Sequence, residues 1–153
     1  HQWPEARGYF AHTASIADGN ATLVHLYTGR VRGGVTFTSA SNSIFQGLAA
    51  DASKRARWRV VRACFDPSLG SPLLGCRPWA FVHDETIVEA PEDRAAEAAE
   101  EQKRLHEEAM QPLTPHVPAR ASSSLMRAWS KGAEPVRDRG GRLIPWEDRE
   151  RVG

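Results

Sequence analysis

The sequence predicts an α+β fold, and three observations carry it. A proline-free stretch of helical apolar spacing runs from about Ser39 to Phe65. Two short β-prone runs, Trp79–Val82 and Thr86–Glu89, flank a polar tripeptide. No strand–helix alternation of the kind that builds a parallel sheet connects them. With 153 residues, 41% of them apolar and 25% charged, the chain can bury a core of its own and is not broadly disordered.

The elements follow in order. Trp3 to about Ile16 predicts a short helix, with Pro4 in its first turn and Trp3, Tyr9, Phe10 and Ile16 on its apolar side. Asp18-Gly19-Asn20 ends it, and Thr22–Tyr27 predicts a strand. Turns are marked by Thr28-Gly29-Arg30 and Gly33-Gly34. The long helix then presents Ile44, Phe45, Leu48, Ala49, Ala52, Ala56, Val60 and Ala63 at near-helical spacing, and Asp66-Pro67 stops it. Loops over 70–72 and 75–78 lead into the hairpin. Pro91 opens a charged helix to about Gln111, with Glu92 and Asp93 at its positive end. Pro112, Pro115 and Pro118 break that helix. A strand over 119–127, an exposed turn over 137–141 and a frayed charged end over 147–153 complete the reading. There is no internal repeat, and residues 1–153 are expected to form one partial domain.

No stretch approaches the roughly 18 uninterrupted apolar residues of a membrane span, so no membrane partner is expected. Cys64 and Cys76 are too few for a disulfide framework and are expected as buried thiols; a reduced, cytoplasmic setting follows. The chain opens on His1 rather than Met, which reads as a fragment of something longer. The five tryptophans read first as packing residues, with stacking on bases open to any that are exposed.

The formal charge of +1 conceals an asymmetry. Between Arg30 and Arg62, seven basic residues stand against one acid; between Asp84 and Glu108, ten acids stand against three bases. A phosphate-facing surface beside a cation-handling one would produce this pattern, and so would two solvated helix faces.

Two segments could carry chemistry. In Phe81-Val82-His83-Asp84-Glu85-Thr86-Ile87-Val88, adjacent carboxylates sit at a hairpin tip. A tip needs only polar residues, but a tight turn ordinarily uses Gly or Asn, and neither is present. Adjacent like charges cost energy unless a cation shares them, and oxygen ligands on a hairpin suit Mg²⁺. A metal-dependent phosphohydrolase would also use a His-Asp pair, yet it needs further His and Asp ligands on helices, and His106 and His116 lack matching acids. In the other segment, Asn42 and Gln46 are four apart and share one helix face, from which amides can donate to and accept from base edges in a minor groove. An ordinary polar face capped by Ser39 or Ser41 would read the same way. Gly47, next in line, permits close approach of another backbone.

Taken in order, "NSIFQGLAAD" and "FVHDETIVEAP" resemble the C-terminal palm of a family A DNA polymerase, the group of bacterial DNA polymerase I and many phage replicative enzymes. The first resembles the family's Asn…Gln-Gly helix, the second its motif C, here over 81–89. "WPEARGYF" is similar to the helix after motif B, and "RVRGGVTFTSASN" and "LMRAWSKGAEPVRDRGGRLIPW" look phage-like, so the resemblance covers nearly the whole chain. Gln46 precedes His83 by 37 positions, and the pairing of the two motifs carries more weight than His-Asp-Glu alone.

The resemblance implies roles. Asp84 would ligate catalytic Mg²⁺, one of two ions whose site is completed outside this chain; Glu85 would support that site or act as a weaker ligand. His83 would touch the primer terminus, and Asn42 and Gln46 would contact the minor groove. Primer–template DNA, dNTP and an upstream polymerase part would be the partners, in the cytoplasm of a bacterial or phage-infected cell. The reaction would be two-metal nucleotidyl transfer to a primer 3′-hydroxyl. Thr38 stands where the family often has a basic residue, and Phe81 where it often has Gln. The family's motif A aspartate and its Arg…Lys…Tyr-Gly fingers helix are absent from these residues, so this piece alone should not polymerise. The competing expectation is a non-catalytic nucleic-acid-binding module that keeps a palm-like fold.

Overall fold

The computed structural model describes residues 3–19 and 21–147. It is an α+β structure, as the patterning predicts: three helices and three small sheets. The chain divides into two compact units, residues 1–52 and 53–153, with the boundary inside the longest helix.

In the first unit, α1 (Pro4–Asp18) starts on Pro4, whose fixed φ suits the first turn. It makes hydrogen bonds to the start of α2 (Phe37–Phe65): Tyr9 Oη donates to Ser41 O, and Ser41 Oγ donates to Thr13 Oγ1 at 3.2 Å. The cap of α2 is neither Ser39 nor Ser41 but Thr36. Thr36 Oγ1 accepts the Ser39 N–H at 3.3 Å, and Ser39 Oγ accepts the Thr36 N–H at 2.8 Å, a reciprocal pair with Ser in place of the usual Glu. Between the helices, β1 (Leu23–Val24) pairs antiparallel with β2 (Val31–Arg32).

The expected strand over 22–27 therefore stops early. Gly29, at φ +68°, donates its N–H to His25 O at 2.8 Å, and His25 N–H bonds Arg30 O at 2.9 Å. The chain reverses before Leu26 and Tyr27 can pair, which leaves both exposed. Leu23, Val35 and Ala40 are buried together, with Ile16, Ala21 and Ile44 against them. Asn20, expected in the turn after α1, lies outside the described residues.

The second unit is built on the C-terminal half of α2, the hairpin β3 (Arg77–Val82) and β4 (Glu85–Glu89), and α3 (Ala95–Met110). Its larger core joins Val60, Ala63 and Cys64 of α2 to Leu73, Cys76, Ala98 and Leu105, with Val88 and Ala90 at the margin. The small residues let the elements approach closely. That leaves little volume for indole rings: Trp58 and Trp79 are 66% and 62% exposed, and Trp129 also lies at the surface, against the expectation that the tryptophans pack inside. Trp3, in the first unit, is exposed as well.

The expected helix from Pro91 begins later. Pro91 is extended, with ψ at 137°, and a single 3₁₀ turn over Glu92–Arg94 precedes α3. The expected strand over 119–127 shrinks to β5 (Leu125–Met126) because its backbone donors are used elsewhere. Ala119 N–H bonds Gln111 Oε1 and Ala121 N–H bonds Glu107 Oε1, both at 3.0 Å. β5 pairs parallel with β7 (Leu143–Trp146), whose other edge takes β6 (Val136–Arg137) antiparallel. The turn expected over 137–141 is the loop of that last hairpin, where Asp138 Oδ1 accepts the N–H groups of Gly140 and Arg142. Residues 148–153, expected to fray, lie outside the described residues. Among the described residues no helix is long and apolar enough to cross a membrane.

Candidate functional site

The hairpin tip is tighter than its sequence suggests. Val82 pairs with Glu85, so Glu85 is the first residue of β4 and only His83 and Asp84 make the turn. His83 takes φ +56°, a left-handed backbone that costs a β-carbon residue roughly 1–2 kcal/mol. This is how the turn closes without Gly or Asn: the strain falls on the histidine. One turn of pleat earlier, the ladder slips between Pro78 and Ala80 and leaves Trp79 unpaired. Pro78 cannot donate to a ladder, so the bulge falls where the missing N–H costs least.

His83, Asp84 and Glu85 are all exposed, and none of the three side chains makes a hydrogen bond or ion pair with another described residue. Two unclaimed carboxylates offer the hard oxygen donors that Mg²⁺ takes, and such ions usually draw their remaining ligands from water and substrate phosphates. Among the described residues no group of three or more His, Cys, Asp and Glu side chains could hold a metal by itself. The donor set on the hairpin thus fits a shared site rather than a closed cage.

Behind the tip, β4 is pinned to α3. Gln102 donates its side-chain N–H to Thr86 O. His106 Nδ1 lies 2.8 Å from Gln102 O, and a carbonyl can only accept, so Nδ1 carries the proton. Nε2 is then the acceptor for the Thr86 hydroxyl at 3.0 Å. From the sequence, α3 reads only as a charged helix. The available signal was Gln102 and His106 falling on the same helical face as Ala98, Leu105 and Ala109, two polar residues on an apolar stripe.

A second feature unforeseen in the sequence lies near the turn end of β3. The Arg57 guanidinium sits 4.2 Å from the Phe81 ring centroid. Phe81, read as the loss of a polar link, instead serves as a platform for a cation.

In the first unit, Asn42 and Gln46 are both exposed on α2 and neither side chain has a partner among the described residues. Gly47, beside them, is approached by a side chain rather than by the expected backbone: the buried His25 ring occupies the space of its missing side chain. Phe45, next to Gln46 in the chain, is exposed, and its ring packs tilted against Tyr9 at a centroid distance of 5.2 Å.

The charge asymmetry of the sequence is partly cancelled in space. Arg30 pairs with Asp51, Arg62 with Asp66 at 2.7 Å, and Arg59 approaches Glu108 at 3.7 Å. On the acidic side, Arg104 takes Glu101 and Glu108, while Arg127 and Arg137 take Glu92 and Glu100. Lys54, Arg55 and Arg57 form no ion pair with described residues, nor do Asp84 and Glu85.

A scan against protein-family models finds no match to this chain, and neither the curated proteins nor the solved structures contain one.

Proposed function

We propose that this chain is the C-terminal palm part of a DNA-directed DNA polymerase of the family A type, acting with an upstream part that supplies the remaining metal-binding aspartate and the nucleotide-binding helix. The observation that supports the reading most is the His83–Asp84 turn: a strained, two-residue tip that presents an unpaired carboxylate between two paired strands. Backbone strain of this kind tends to collect where a side chain must be held in a set direction.

Asp84 holds the catalytic cations in this reading, and Glu85 supports them. Bound there, two Mg²⁺ ions would lower the pKa of the primer 3′-hydroxyl and neutralise the leaving pyrophosphate. His83 orients the primer end, because it shares the turn with the metal ligand. Asn42 and Gln46 bond minor-groove acceptors that occur on every base pair, which allows duplex geometry to be checked without sequence preference.

The test is primer extension by the polypeptide that joins this chain to the segment encoded upstream of His1. Asp84→Ala should cut extension by orders of magnitude and leave duplex binding intact. Extension by the variant at the wild-type rate would refute the metal role. Duplex binding without extension by either form would favour the non-catalytic binding module.

A further inference from the structure

The Arg57 guanidinium is held in an unusual way. Its Cζ lies over the Phe81 ring, 4.2 Å from the ring centre. Its Nε is buried with no hydrogen-bond partner. No carboxylate among the described residues lies within ion-pair distance of it. Neither Nη is buried and unpartnered as Nε is, and neither makes a hydrogen bond with a described residue, so the Nη edge is not fully buried and is without a partner among them.

This arrangement restricts what the side chain can bind. A guanidinium pairs side-on through Nε and one Nη, or end-on through its two Nη groups. Burial of Nε closes the side-on route, and the Phe81 ring packs against the group. What remains is a rigid end-on fork, which matches two oxygens on one phosphorus or carbon atom. An unpaired, partly desolvated cation gains more from such a partner than a solvated one. Lys54 lies three residues earlier on the same helix, exposed and without an ion pair among the described residues, so it adds a second positive charge one helical turn away. Phe81 lies two residues before His83 on the strand that leads into the turn.

We infer that Arg57, braced on Phe81 and extended by Lys54, is a phosphate-oxygen site for the backbone of a nucleic-acid strand. The inference rests on the polymerase reading for the choice of strand but not for the site itself. A phosphodiester presents two non-bridging oxygens to the end-on fork, and its neighbours along the strand meet the second cation. A free phosphate could also fill the fork, and the experiment separates the two.

The experiment measures binding of a fluorescent primer–template duplex to this chain over a series of salt concentrations, for wild type, Arg57→Gln, Arg57→Lys and Phe81→Leu. Circular dichroism confirms that each variant is folded. Arg57→Gln should weaken binding several-fold and reduce the slope of log affinity against log salt by about 0.9, the loss of one phosphate contact. Arg57→Lys and Phe81→Leu should keep the slope and still bind more weakly, because charge survives while the braced fork does not. A parallel titration uses inorganic phosphate alone at matched ionic strength. Duplex binding with an unchanged slope in Arg57→Gln overturns the site, as does a failure of the wild type to bind either probe. Arg57-dependent binding of inorganic phosphate without duplex binding assigns the fork to a free anion and overturns the strand. An inactive metal site, revealed by Asp84→Ala in the extension assay, would leave the salt-slope result standing, so the two readings fail separately.

Discussion

The imidazole of His25 fills the space above Gly47. A β-carbon at that glycine would lie 2.7 Å from Nε2 and 3.0 Å from Nδ1, inside van der Waals contact. His25 is itself only 6% exposed, so it has little room to retreat. The contact joins the turn after β1 to the first half of α2, directly beside Gln46.

Gly47→Ala tests the balance of two opposed effects. In an exposed helix interior, alanine is worth up to about 1 kcal/mol over glycine. Here overpacking against His25 should cost about 1–3 kcal/mol and win. Urea denaturation should show the variant less stable, and adding His25→Ala should reverse the sign of the Gly47→Ala effect.

His83→Gly separates fold from function. Removing the β-carbon from a φ +56° position should raise stability by about 1 kcal/mol, read by thermal denaturation. In the joined polypeptide the same change should reduce primer extension, since the imidazole is lost. A variant that is less stable would show that the turn is not strained.

Thr86→Val keeps the shape of the side chain and removes the hydroxyl that serves His106 Nε2. Leaving that nitrogen without its donor should cost about 1–2 kcal/mol. Hydrogen exchange should accelerate at the β4 amides over 85–89 and remain unchanged in α1. Uniform protection in the variant would mean that α3 holds β4 by apolar packing alone.

Cys64 gives the chain an alkaline limit. Burial, reinforced by the neighbouring Cys76, pushes its thiol up to about 11, and burial raises Cys76 in the same direction. A folded-state value above the unfolded one means that the stabilisation is complete below the unfolded pKa of about 8.5 and is lost as pH rises toward 11. A shift of about two units corresponds to roughly 2–3 kcal/mol for Cys64. Denaturation midpoints should hold steady to about pH 8.5 and then fall. Cys64→Ala should lower stability at neutral pH through its cavity and flatten the alkaline decline, leaving the part due to Cys76.

Elements with strong local signals were legible in the sequence. The long α2 helix, the β3–β4 hairpin and the charged α3 helix all follow from periodicity, proline and turn residues. What escaped depended on where backbone hydrogen bonds went. Residues 22–27 have strand composition, but Gly29 draws His25 O into a turn, and no local pattern announces that choice. Residues 119–127 lost their ladder to Gln111 and Glu107, side chains that the sequence placed on a solvated helix. At the hairpin, the missing glycine was visible, but its consequence was a strained His83 rather than a wider turn. Arg57 was counted among a run of like charges. Arg62 has Asp66 four residues on, a pairing visible in the sequence, whereas Arg57 meets Phe81 only in space.

The exposed indoles and phenyl rings have a thermodynamic consequence. Trp3, Trp58, Phe65 and Trp79 are each more than 60% accessible in the folded chain, so much of their apolar surface meets water before any unfolding begins. Unfolding then hydrates less new hydrocarbon than a chain of this length ordinarily would. Both the heat-capacity increment and the denaturant slope scale with that newly wetted area. The free energy of this protein should accordingly change slowly with temperature and with urea, giving broad transitions even where the fold is cooperative.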